Sequence, residues 1–220
     1  MDFNQMLPLM GQGVLESLYM TLVSSLFAYI LGLPLGIILV ATDKDGIRPM
    51  PGLNRVLGLV INLLRSVPFI ILLVVLIPFT RAVVGTTVGS TATIVPLTIA
   101  AAPFVARLIE GSLKEVDGGV IEAAQSMGAT PWQIVTRVLL PEATPSLVNG
   151  ATIAVTTILS YSAMAGIVGG GGLGAIAINY GYYRRMEVPM LVAVVLLVIV
   201  VQILQEIGAK TMGKIDKRNH

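Results

Sequence analysis

The chain has 220 residues, 55% hydrophobic and only 12% charged, with a mean hydropathy of +0.88; soluble domains carry about 25% charged residues, so a water-soluble globule is excluded. The formal net charge of +2 comes from scattered Lys and Arg and is too small to argue for nucleic acid as a partner. Cysteine is absent, which removes disulfides and thiolate metal sites, and the single histidine, His220, offers no support for histidine-based catalysis.

Five apolar runs reach the length that crosses a bilayer, about 20 residues with a range of 17–25. They cover roughly 14–41, 53–79, 90–108, 147–168 and 188–207 and predict an all-α polytopic membrane protein. No Lys or Arg precedes the first run, and that run is too long for a cleaved signal, so it is read as a span. With the N-terminus outside, the inner segments hold Lys44, Arg48, Arg55, Arg107, Lys114, Arg137, Lys210, Lys214, Lys217 and Arg218. The outer segments hold only Arg81, Arg184 and Arg185. Positively charged loops stay inside, so the N-terminus is expected outside and the C-terminus inside.

In the first span, Leu31-Gly32-Leu33-Pro34-Leu35-Gly36 predicts a kink or close helix packing, and Glu16 is expected as a solvated carboxylate at its outer edge. The second is interrupted at Arg65-Ser66-Val67-Pro68, where Pro68 removes a backbone hydrogen bond and clashes with the Leu64 carbonyl. An arginine at mid-depth costs about 2.5–3.5 kcal/mol on insertion scales. Arg65 therefore either meets a ligand carboxylate or a gate, or reaches the freed Leu64 carbonyl or snorkels to the inner surface. Pro96 and Pro103 flank Ala100-Ala101-Ala102 in the third span, which allows bending and close approach. At its inner end Glu110 and Lys114 form an i,i+4 pair expected on a solvated face.

The polar interval that follows reads as a short helix, a break and a second short helix, over about 115–141. Good helix formers run from Glu122 to Met127, Gly128 suits a left-handed cap, and Thr130-Pro131 with Gln133 has the spacing of a capping box. Val135, Val138 and Leu139 give an apolar stripe that Pro141 is expected to end. Two angled helices projecting into water make a knob, and a knob implies a socket on another protein.

Glu122-Ala123-Ala124, Gly128 three residues further on, and Val138-Leu139-Leu140-Pro141 resemble the EAA signature of the permease subunits of ATP-binding-cassette (ABC) importers. Similarity to the methionine-importer branch extends to Arg65-Ser66-Val67-Pro68-Phe69, to the run from Ala165 to Gly174 and to Asn179-Tyr180-Gly181-Tyr182. The resemblance implies a type I importer permease domain over 13–208, five transmembrane helices with a cytoplasmic coupling-helix loop, and a tail over 209–220. It further implies a homodimer in a bacterial inner membrane, two cytoplasmic ATPase subunits that bind ATP and Mg, and a periplasmic or lipoprotein substrate-binding protein. Glu122, Ala123, Ala124, Met127 and Gly128 would dock the ATPase. No G-x-x-x-x-G-K-[ST] pattern occurs in the chain, so ATP hydrolysis is expected in a partner and the chain itself is not expected to be an enzyme.

The fourth span places Asn149, Thr152, Thr156, Ser160 and Ala163 on one face, a stripe that either packs against another helix or lines a wet pathway. Gly169-Gly170-Gly171-Gly172-Leu173-Gly174 formally contains G-x-G-x-x-G, but no strand precedes it, so a re-entrant or hinge segment is expected instead of a nucleotide site. Tyr180, Tyr182, Tyr183, Arg184 and Arg185 suit either an interfacial anchor or a contact with an external delivery protein. Two rival functions share these features: the same architecture with another amino acid or glycine betaine as cargo, and an ion-coupled transporter or channel subunit. The latter would need intramembrane carboxylates, and the runs hold only Glu16 and Glu206, each at an edge.

Overall fold

The computed structural model describes residues 3–215, and among them all regular structure is helical. Four helical stretches, Asn4–Ala41, Ser90–Lys114, Thr144–Tyr183 and Glu187–Ile215, are long and apolar enough to cross a bilayer. A fifth crossing results when two helices bent by 98° at a short break count together.

Helix α1 (Phe3–Ala41) has 39 residues and is about 58 Å long at 1.5 Å per residue, so it starts well before residue 14 and outreaches the hydrocarbon layer. It packs along α5 (Ser90–Lys114), the most enclosed helix, whose Leu97, Ala101, Val105 and Ala106 are inaccessible. The glycines of the Leu31–Gly36 motif make this contact. A Cβ on Gly32 would lie 2.9 Å from the Ala102 carbonyl oxygen, and one on Gly36 would lie 2.8 Å from that of Ala106. The two backbones can meet only because side chains are missing there.

The second apolar run does not form one helix. Amphipathic α2 (Pro51–Ser66) stops at Val67, which is extended at φ −80° and ψ 123°, the conformation a following proline imposes. The chain turns there into α3 (Phe69–Val75), then α4 (Ile77–Val84), which ends on left-handed Gly85. Phe69 of α3 stacks on Tyr161 with ring centroids 4.7 Å apart and planes within 4°.

The polar interval forms α6 (Gly118–Ser126), α7 (Pro131–Ile134), a wide π turn (Val135–Leu139) and α8 (Leu140–Glu142). Pro141 does not end the helix as expected. Its missing N–H is absorbed by the π turn, in which Leu140 N–H donates to the Val135 carbonyl, and the chain runs on into α9 (Thr144–Ala165). Ala143 N–H donates to Leu139 and Leu147 N–H to Ala143, so the junction keeps its hydrogen bonds.

Beyond α9 come a 3₁₀ turn (Gly166–Val168), the glycine run, α10 (Gly172–Ile176), a second π turn (Ala177–Tyr183) and α11 (Glu187–Ile215). The segment expected to be re-entrant or a hinge is closely packed: a Cβ on Gly174 would lie 2.2 Å from the Ala163 carbonyl oxygen, and one on Gly166 2.3 Å from the Ala175 nitrogen. Glu16 is not simply solvated. Its Oε2 accepts the Gly172 N–H at 2.7 Å, and Ser17 Oγ accepts that of Leu173 at 2.9 Å, pinning the start of α10 to α1. The part of the predicted tail over 209–215 continues α11, and 216–220, with Lys217 and Arg218, lie outside the described residues.

Candidate functional site

The knob is built from its caps outward. Asp117 accepts the Gly119 N–H on Oδ1 at 2.7 Å and starts α6 five residues before Glu122. Sequence reasoning missed this cap because two helix-poor glycines follow it; Asp ahead of an apolar run was the available signal. Glu122 is therefore the fifth helical residue, beyond the first turn where the helix dipole favours an acid most. At the other end, the Met127 and Ala129 N–H groups bond back to Ala123 and Ala124, and Gly128 takes φ +78°. Thr130 then forms the capping box, its N–H donating to Gln133 Oε1 at 2.8 Å while Gln133 N–H donates to Thr130 Oγ1 at 3.3 Å.

The two helices present unlike faces. Ala124, Ile134, Val135 and Leu139 turn inward and join the main core. Glu122, Ala123, Gly128 and Pro131 face outward, and the two large apolar side chains Met127 and Trp132 are 81% and 74% exposed. Ala124 therefore seats the knob on the body and is not part of the outward face to which the sequence assigned it. Trp132, not singled out from the sequence, is the largest exposed side chain here, of the type that anchors interfaces.

Below the knob lies a crevice of about 490 Å³ lined by Val40, Asp43, Ile47, Lys114, Glu122 and Gln125. Two of its lining residues, Asp43 and Lys114, belong to an ion network. Arg107 pairs with Glu110 and donates to Asn62 Oδ1 at 2.8 Å, and Lys114 bridges Glu110 at 3.0 Å and Asp43 at 2.7 Å. The Glu110 side chain is only 12% exposed, so the expected solvated pair is instead a partly buried brace joining α5, α2 and the α1–α2 loop. The hydrogen bond from Lys114, helped by the Lys44 backbone, holds the Asp43 carboxyl below its usual range. A depressed carboxyl contributes its stabilisation above its unfolded-state value and loses it as pH falls through the depressed one, so this tether is intact at neutral pH and fails only in acid.

The fourth-span stripe is divided. Asn149, Thr156 and Ser160 lie on an open face of α9 with Ile153, Thr157 and Met164, and the Thr156 and Ser160 hydroxyls donate to their own helix's carbonyls. Thr152 instead fills the notch at Gly208 of α11, where an added Cβ would meet its Oγ1 at 2.0 Å, so it is a packing residue and not part of the open face. Ala163 sits against Gly174. Arg65 is exposed at the end of α2 and has no hydrogen-bond or ion-pair partner among the described residues.

Residues 32–214 match the family described as the binding-protein-dependent transport system inner membrane component. A probable D-methionine transport system permease protein of Vibrio cholerae is 54% identical over 203 residues, 92% of this chain and 90% of that protein. The Pasteurella multocida protein of the same description is 50% identical over 210 residues, 96% and 97% of the two chains. A solved inward-facing MetNI methionine ABC transporter superposes with a TM-score of 0.97 at 48% identity, covering 99% of this chain and all of that one. An amino-acid ABC transporter solved with histidines gives 0.78 at 21% identity over 97% and 99% of the chains, a likeness of fold alone.

Proposed function

The chain belongs to the binding-protein-dependent transport inner membrane component family, and from that premise we propose that it is the membrane-spanning subunit of an ATP-driven methionine importer. The observation that carries this reading is the outward knob with exposed Met127 and Trp132, set on a fold that follows the inward-facing methionine transporter at a TM-score of 0.97. The chain forms the translocation pathway with a second copy of itself, takes substrate from a periplasmic or lipoprotein binding protein, and works with two copies of a cytoplasmic ATPase that binds ATP and Mg. Closure of the ATPases moves the two knobs together and turns the pathway outward. Asn149, Thr156 and Ser160 supply the polar face toward that pathway. Their hydroxyls already bond within α9, so they offer a weakly polar lining and not strong ligands. Among the described residues the carboxylates on the spanning helices are Glu16, Glu110, Glu187 and Glu206. Glu16 is bonded to Gly172, Glu110 to Arg107 and Lys114, and Glu206 to Lys210, which weighs against an ion-coupled carrier.

The test is uptake of labelled L- and D-methionine by proteoliposomes holding the permease, its ATPase and its binding protein. ATP-dependent accumulation supports the reading, and accumulation of another amino acid or betaine with none of methionine replaces the cargo. The bacterial inner-membrane topology, with the N-terminus periplasmic, is tested separately. Cysteines at Gln5 and Lys214, in a chain with no native cysteine, are expected to react with an impermeant maleimide from opposite faces. Reaction of both from one face would mean an even number of crossings and overturn the five-span topology.

A further inference from the structure

At the bend between α2 and α3, Arg65 borders a pocket of about 200 Å³ that also takes in Phe69, Leu72, Ala100, Phe104 and Tyr161. Three features make it a built site. The Phe69–Tyr161 stack forms a flat aromatic wall joining α3 to α9. Arg65 lies in the last turn of α2, about 21 Å of helix rise from Pro51 at 1.5 Å per residue, exposed and without a hydrogen-bond or ion-pair partner among the described residues, and α2 carries no acidic residue to neutralise it. Neither does the pocket lining, which is otherwise apolar or aromatic.

We infer that this pocket is a transient substrate site in the permease, in which Arg65 pairs with the α-carboxylate of an amino acid whose apolar side chain lies against the Phe69–Tyr161 wall. This rests on the importer reading above. Arginine presents two parallel N–H donors that match a carboxylate, and a thioether packs well on aromatic rings. An exposed arginine with no acidic neighbour in the pocket pairs with a carboxylate only while one passes, which favours brief occupancy over tight binding.

The experiment uses the complete transporter in proteoliposomes. Arg65→Gln is expected to lower methionine uptake at least tenfold, with Arg65→Lys retaining an intermediate rate, while ATPase copurification and basal hydrolysis stay at the parent level. A direct readout places a cysteine at Ala100. Its alkylation is expected to slow at least threefold in millimolar methionine, not in methionine amide, and the protection is expected to vanish with Arg65→Gln. Equal protection by acid and amide, no protection, or parent-level uptake by Arg65→Gln overturns the assignment. If Arg65→Gln does not assemble, the acid-against-amide comparison at Ala100→Cys alone decides. Failure of the parent to import methionine strikes the cargo reading instead, and the Ala100 protection result still decides the pocket.

Discussion

Replacing Gly128 with valine is expected to cut ATP-driven uptake at least tenfold while the permease still inserts. Nothing lies within 4 Å of where a Cβ would be, so crowding is not the cause. The cause is the backbone at φ +78°, where a β-branched residue is an outlier and strain is on the order of 1–3 kcal/mol. The chain relieves that strain by swinging α6 against α7, which misplaces Met127 and Trp132 relative to each other. Gly128→Asn, which tolerates this conformation, is expected to keep most activity. Glu122→Lys is expected to weaken ATPase association as well, because it reverses the charge of an exposed carboxylate on the knob. Copurification of the ATPase and hydrolysis stimulated by the binding protein are the measurements. Parent-level values for both variants would show that this knob does not couple the subunits.

Gly174→Val is expected to act on the fold itself. Its Cβ would fall 2.2 Å from the backbone oxygen of Ala163, and no flexible side chain can give way. Overpacking of this kind costs about 1–3 kcal/mol or more, which for a chain this long lowers the thermal midpoint by on the order of 5 °C. Gly111→Ala is the contrasting case. It lies inside α5 with nothing within 4 Å of its Cβ position, and it is expected to be neutral or to stabilise by up to about 1 kcal/mol. Unfolding of both variants in detergent, followed by near-ultraviolet absorbance or a thiol-free dye, checks the pair. An unchanged midpoint for Gly174→Val would mean that the joint between α9 and α10 is loose.

The spans were legible because hydropathy and length suffice to define them, and the knob because Gly128, Thr130, Pro131 and Gln133 are local signals that act within one turn. What was hidden depends on partners distant in sequence. Ala124 has no pattern to say that it faces the core, since an alanine fits either face, and only the packing of α6 on Ile134 and Leu139 decides it. Glu16 looked like an edge carboxylate until Gly172, 156 residues away, came within hydrogen-bond distance. Thr152 read as one of a polar set because helical spacing registers angle and not neighbour, and its neighbour is Gly208. The glycines after α9 suggested looseness by composition, yet here they are small so that backbones can touch. Pro68 and Pro141 show opposite outcomes of one rule. Pro68 breaks its helix because Val67 is driven to an extended conformation, whereas at Pro141 the preceding turn widens to π and the helix survives.

That survival has a mechanical meaning. From Pro131 through the π turn to Ala165 the chain is helical almost without interruption, with a turn at Ala143 and hydrogen bonds spanning it on both sides. Trp132 stands near the start of the short helical arm before Ala143, and Asn149, Thr156 and Ser160 lie along the long arm after it. A lateral push on the short arm is thus a torque about the junction at Ala143, delivered to the open face of α9 without any intervening linker to absorb it.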